Sequence, residues 1–331
     1  MPSRYLDFLL VFLLSLILIF SGLLFGAETI SLTELFDTLH HQNQLSVLYD
    51  IIITIRLPRT LSAFTTGALL AFSGCLMQML FQNPLADSYL LGTSSGASLG
   101  MLIAVMLGFN GVLLPLAAAF GAFCAVLMIL LFAYVVLRQI TSQSHTSTLL
   151  LSGVMLTAMI NAILLLLLTL LPDQALRSTL FWIIGDLTHA QYWPIAAVML
   201  FICLLSALLF GNTWNILAYG SLQAKSLGVS LIPVFLITIL LIGLSSGISV
   251  SIAGPIGFVG LVCPHIANRL TGYNLKNKIP LACAVGGCLL VFADIIARTI
   301  APPIQLPIGI FTMLIGAPCF LILLCYRKCQ I

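Results

Sequence analysis

The sequence predicts an all-α, polytopic membrane protein of about ten transmembrane helices, and three observations carry that prediction. Hydrophobic residues make up 61% of the chain and charged residues only 6%, whereas a soluble domain is roughly a quarter charged. Apolar runs of about twenty residues, the length that crosses a bilayer as a helix, recur along all 331 residues. The short alternating segments of a membrane barrel do not occur.

Taken in order, the candidate spans are 8–26, 59–80, 88–108, 112–137, 147–171, 192–210, 230–252, 254–268, 279–300 and 308–325. The apolar stretch from Phe8 to Phe25 exceeds the usual signal-peptide core, so it reads as a retained first helix. The eighth span is short and broken by Pro255, Gly257 and Gly260. Such residues are tolerated in membranes where neighbouring protein satisfies the freed backbone groups, so this segment is expected inside the bundle or along a cavity. The whole chain reads as one transmembrane domain. A weak internal repeat, about 56–171 and 236–325, is suggested by Gly67, Gly74, Pro84 and Gly92, which recur about 180 residues further on as Gly247, Gly254, Pro264 and Gly272.

Charge sets the orientation. With the N-terminus inside, Arg4, Arg138, Lys225, Arg269, Lys276, Lys278, Arg327 and Lys328 fall inside, and Arg56, Arg59, Arg177 and Arg298 outside. The excess of basic residues inside places both termini in the cytoplasm. The exterior arginines run against that bias and need a reason. The nine cysteines, Cys75, Cys124, Cys203, Cys263, Cys283, Cys288, Cys319, Cys325 and Cys329, avoid long exterior loops and are expected as free thiols. None has zinc-site spacing, so no metal site is expected.

Few residues could carry chemistry. His40, His41, His145, His189 and His265 lie at loops or edges, and Asp294 is the clear intramembrane carboxylate. Arg298 follows it by four residues, on the same helix face, which favours an ion pair. Either charge alone would cost roughly 2.5–3.5 kcal/mol at mid-membrane. No paired acids or nucleophile–base constellation point to an enzyme. The nearest approach to a phosphate loop, "YGSLQAKS" at 219–226, has Tyr219 and Ala224 where glycines are required. Energy must come from another subunit, unless the protein is a passive channel. Two loops then stand out. The connection 212–231, punctuated by Gly220 and Gly228, is long for a mere linker and suits a docking helix. The stretch "FQNPLADSYLLGTSSGASLG" (81–100) is almost free of charge, as if built for something to move past or for a partner to press on.

These segments resemble a family. "RLPRTLSAFTTGALLAFSGCLMQMLFQNPLADSYLLGTSSGASLG" (56–100), "AGPIGFVGLVCPHIANRLTG" (253–272), "ADIIAR" (293–298) and "LPIGIFTMLIGAPCFLILL" (306–324) are similar, in order, to signatures of the permease subunits of type II ABC importers. "LAYGSLQAKSLGV" (217–229) resembles the ATPase-coupling segment of that family. Departures are Ser221 where an acidic residue is usual, Asp87-Ser88 in the first signature, and Asn274, Leu275 and Lys276 after "LTG".

The resemblance implies a bacterial inner-membrane permease working as two copies with two cytoplasmic ABC ATPases and an external substrate-binding protein. ATP and magnesium would be bound by the ATPases, no cofactor by this chain, and no nucleic acid is involved. It implies a cytoplasmic gate at Asn83, Pro84 and Leu85, joined by Thr146 and Ser147. It implies ATPase coupling through Ser221, Leu222, Ala224, Lys225, Leu227 and Gly228, and binding-protein docking at Arg56, Arg59 and Arg298. The cargo would be an iron chelate, a ferric siderophore or haem, with vitamin B12 as the alternative; an ion-coupled secondary transporter is the rival class. His40 and His41 invite a haem-ligand reading, although adjacent loop histidines are usually solvated.

Overall fold

The computed structural model describes residues 2–26, 28–41, 47–139, 145–187, 189–302 and 304–328, and every regular element among them is helical. Helix α1 (Pro2–Leu24) is followed by α2 (Leu32–His41) and α3 (Val47–Asp50). A π-helical stretch, Ile51–Arg56, carries α3 directly into α4 (Leu57–Leu80). Then come α5 (Thr93–Met106), α6 (Leu113–Gln139), α7 (His145–Leu168), α8 (Asp173–Ile184), α9 (Trp193–Leu217) and α10 (Ser221–Ser226). The chain closes with α11 (Leu231–Ala253), α12 (Val259–Thr271), α13 (Leu275–Thr299) and α14 (Ile308–Lys328).

Seven helices among the described residues are long and apolar enough to cross a membrane. Of the remaining sequence-predicted spans, 88–108 and 254–268 hold the shorter helices α5 and α12, and 308–325 falls on α14. The run 88–108 is realised as α5 alone, because Gly92 turns left-handed at φ 75° and delays the helix to Thr93. The run 254–268 opens as irregular backbone and becomes α12 only at Val259, after Gly254 at φ 64° and Phe258 at φ 69°. Helix α8 lies between two predicted spans and was not anticipated.

The centre of the molecule is α4. It is buried almost end to end and packs against α13, α11, α12 and α9. Close approach depends on glycine. A Cβ on Gly67 would stand 2.3 Å from the Gly286 carbonyl oxygen, and one on Gly74 only 1.9 Å from that of Gly260. Small residues at crossing points let backbones touch, which matters where lipid supplies no hydrophobic drive between helices. Helices α5 and α6 repeat the device, Gly96 against Gly121 and Gly100 against Ala117.

The broken segment before α12 is partly buried, with Gly254 and Ile256 inside and Pro255, Gly257 and Phe258 half-buried. Gly74 sits within α4, whereas Gly254, its offset partner in the suggested repeat, ends α11; Pro84 is in a loop and Pro264 within α12. The described cysteines are free, and five of them (Cys75, Cys203, Cys263, Cys283 and Cys288) are buried. Cys329 lies outside the described residues.

Candidate gate, coupling surface and arginine cluster

The loop leaving α4 is a tightly tied turn. Gln82 takes φ 48°, a left-handed conformation uncommon for a non-glycine residue, and Asn83 follows. The Asn83 side-chain oxygen accepts from the Leu85 amide at 2.9 Å, and its carbonyl accepts from Ala86 at 3.1 Å. This is an Asx turn, and Pro84 stiffens it by fixing φ. Ala86 is fully buried, while Leu85 is 53% exposed. The turn therefore holds one large apolar side chain outward.

Downstream, three contacts fasten the loop. The Ser88 hydroxyl donates to the Leu70 carbonyl at 2.9 Å, and the Ile256 amide donates to the Tyr89 hydroxyl at 3.0 Å. Gly260 leaves room for this, since a Cβ there would fall 1.9 Å from Ser88 Oγ. The Asp87 carboxylate accepts from the Ser88 amide at 2.7 Å. Burial pushes its carboxyl above the usual carboxylate range, only partly offset by that amide.

Helix α7 stands beside the far end of the loop, with Gly153 against the Leu90 carbonyl, where a Cβ would lie 2.5 Å away. Thr146 and Ser147 occupy its first turn; Ser147 is exposed, and the Thr146 side chain is outside the described residues. Between α6 and α7 runs an almost wholly apolar groove of about 480 Å³, lined by residues including Met128, Phe132, Met155 and Met159.

The coupling segment lies next to the turn. Gly220 enters α10 at φ 119° and Gly228 leaves it at φ 83°, the left-handed exit that caps many helices. Leu222 and Leu227 are exposed, the latter at 68%, and Lys225 also faces outward. Ala224 is the correction. It is fully buried against the chain's own core, because in a six-residue helix one face must seat on the bundle. Its side chain anchors α10 on the bundle and is not part of the exposed face.

Two further anchors escaped sequence reasoning. Trp214, near the end of α9, is buried, donates to the Thr238 hydroxyl at 3.0 Å and meets Phe72 of α4 edge-on at 6.4 Å. Asn215 binds both Asn274 and the Leu275 amide, and Asn274 caps α13 by accepting from Lys276. Asn274, a departure from the family pattern, thus has a local role that a cap-forming residue before a helical run could have signalled.

The arginines lie at the other end of α4, about 36 Å away at 1.5 Å per residue. Asp294 is fully buried; Arg59 Nε reaches its Oδ1 at 2.9 Å and Arg298 Nη2 its Oδ2 at 2.9 Å. Arg59 also donates to Gln305. Arg56 donates to the carbonyls of Leu23 and Leu24, both at 2.8 Å, and to that of Glu28. The fold thus supplies backbone carbonyls to Arg56 and the Asp294 carboxylate to Arg59. The three arginines are not free surface charges, since all are buried. That corrects the picture of exposed docking residues, because desolvated guanidiniums must be paired inside the chain. The side chains of His40 and His41 lie outside the described residues, and among the described residues no cluster of three metal-ligating side chains occurs.

Helices long and apolar enough to cross a bilayer, packed through glycine crossings, define a multi-pass helical membrane protein. A model of the FecCD transport family matches residues 13–326. The chain is 36% identical to the hemin transport system permease protein HmuU of Yersinia pestis, over 99% of this chain and 97% of that one. It is 40% identical to the vitamin B12 import system permease protein BtuC of Klebsiella pneumoniae, over 82% of this chain and 81% of that one. Among solved structures, a transporter assigned to the metal-chelate ABC type, in an inward-facing conformation, aligns with a TM-score of 0.82 at 29% identity, covering 96% and 97% of the two chains. The chain belongs to the FecCD transport family, and its relatives are transport subunits, not catalytic enzymes.

Proposed function

We propose that this chain is the membrane-spanning subunit of an ATP-driven importer, carrying an iron chelate from an external binding protein into the cytoplasm by alternating access. In that reading it crosses the bacterial inner membrane about ten times, with both termini in the cytoplasm. It works as two copies with two ABC ATPases that bind ATP and magnesium, while this chain holds no cofactor. Asn83, Pro84 and Leu85 form the gate with Thr146 and Ser147, and α10 meets the ATPase through Ser221, Leu222, Lys225, Leu227 and Gly228. The arginine cluster marks the end that receives the binding protein. It would act through its positive field, which steers encounter.

The observation that carries the reading is the adjacency of two features at one end of α4: a rigid turn presenting Leu85, and an exposed short helix presenting Leu222 and Leu227. Uptake into vesicles tests it. Transport should stop on ATP depletion and survive collapse of the proton gradient; the reverse pattern would favour an ion-coupled carrier. Cargo is a separate question. The hemin permease relative supports haem, and the vitamin B12 permease relative supports cobalamin as the second reading. Binding of ferric siderophores, hemin and cobalamin to the partner binding protein decides between them.

A further inference from the structure

The structure places two unusual backbone positions against each other. Gln82, at φ 48°, is the pivot between the last turn of α4 and the Asn83 turn. Gly220, at φ 119°, is the entry to α10. A Cβ on Gly220 would lie 3.4 Å from Gln82 Nε2, so the Gln82 amide rests on the bare face of the glycine. Left-handed non-glycine residues persist where their surroundings over-determine them, and they concentrate at switch regions. Here the backbone amide of Gln82 donates to the Met79 carbonyl at 3.3 Å, and its side-chain amide stands beside Gly220 at the entry to α10.

A second contact links the same parts. The helix that leads into Gly220 carries Trp214, which packs edge-on against Phe72 in the body of α4. A tilt of α10 therefore reaches the gate-bearing helix at Phe72 and, beyond that helix, the turn itself at Gln82. The first contact moves α4 as a rod. Only the second acts past its end, where Asn83 and Leu85 are set.

We propose that Gln82 is a positioning residue through which α10 sets the orientation of the Asn83–Leu85 turn. The inference rests on the reading of α10 as the ATPase-docking helix. Gln82 is itself exposed, so its substitution leaves the core intact. Gln82→Ala removes the amide and keeps the backbone demand. Gln82→Gly removes both, and Gln82→Asn keeps an amide too short to reach Gly220 in a residue that tolerates the left-handed region.

The test uses the full transporter, permease with ATPase and binding protein, in lipid vesicles, and needs no cargo. Two quantities are read: stimulation of ATP hydrolysis by the binding protein, and hydrogen exchange at the Leu85 and Ala86 amides with and without the ATPase. In the wild type, the ATPase should change exchange at those amides. All three variants should keep the ATPase bound, lose that response and show stimulation reduced about fivefold or more. Wild-type behaviour in Gln82→Ala would overturn the proposal. So would rescue by Gln82→Gly alone, which would make strain the cause, or loss of ATPase binding in the variants, which would make Gln82 a docking contact. Failure of the wild-type permease to retain any ATPase would sink the docking reading of α10, and this inference with it.

Discussion

At the scale of the residue, burial decides what each charge can do. Asp294 serves two guanidiniums at once, and neither Arg59 nor Arg298 has another carboxylate within salt-bridge reach among the described residues. Removing one member of a buried pair leaves an uncompensated charge and costs about 3–5 kcal/mol. Asp294→Asn, which strips both arginines of their carboxylate, should therefore lower the thermal stability of the detergent-solubilised permease clearly, and should do so in high salt too, because buried pairs are little screened. A variant as stable as the wild type would mean that the cluster opens to water. Asp87 makes the opposite case, a carboxylate without a basic partner in its loop. Its folded carboxyl is held above the ordinary value of 3.8 by burial. The folded state thus keeps its proton where the unfolded chain has lost it. This relative stabilisation is complete below 3.8 and fades as pH rises through the folded pKa. Melting temperatures of the wild type and Asp87→Asn across mildly acidic to neutral pH should diverge, with the variant gaining as pH rises. Parallel curves would show that the carboxyl is solvated.

At the scale of the element, the gate loop and the α4–α12 crossing make separate demands. The loop offers one apolar side chain, Leu85, on a turn whose backbone is tied through Asn83 and Ser88. Apolar constrictions close by dewetting. Leu85→Ala should raise passive leak through reconstituted transporter, or lower cargo moved per ATP, without loss of folding, because the side chain is exposed. Unchanged leak and coupling would remove this loop from the gate. The crossing tolerates less. At Gly74 even a methyl group meets a backbone carbonyl at 1.9 Å, and backbone cannot rotate away as a side chain can. Gly74→Ala should cost about 1–3 kcal/mol or more by overpacking, read as a drop in melting temperature or in folded yield. The same change at Gly108, which has open space around it, is the control for handling, though not for its left-handed backbone.

At the scale of the whole molecule, the exposed apolar rows are the dominant feature. Leu9, Phe12, Leu13 and Leu16 of α1 face outward, as do Leu151, Met155 and Met159 of α7. A soluble monomer would not expose faces of this extent; a bilayer or a second copy must cover them. Under the importer reading, solubilised transporter should have a protein mass of two 35.6 kDa chains plus two ATPases, measured by light scattering with the detergent subtracted. One permease chain per particle, with transport retained, would contradict the two-copy assembly.

Composition, hydropathy and the lack of alternating segments sufficed for the class, because lipid admits only helices or closed barrels, which satisfy their own backbone groups. The order of the long spans was legible for the same reason, and so was the i, i+4 spacing of Asp294 and Arg298. The short helices were less so. Where glycines break α5 and α12, hydropathy continues while the helix does not. Contacts between distant segments were hidden altogether. Arg59 meets Asp294 across 235 positions of sequence, and no local pattern encodes such a pair. Ala224 reads as a surface residue in its segment and is buried only because α10 folds back on the core. Which face of an element meets the rest of the protein is settled by packing between segments far apart in the chain, and that was left to the tertiary structure.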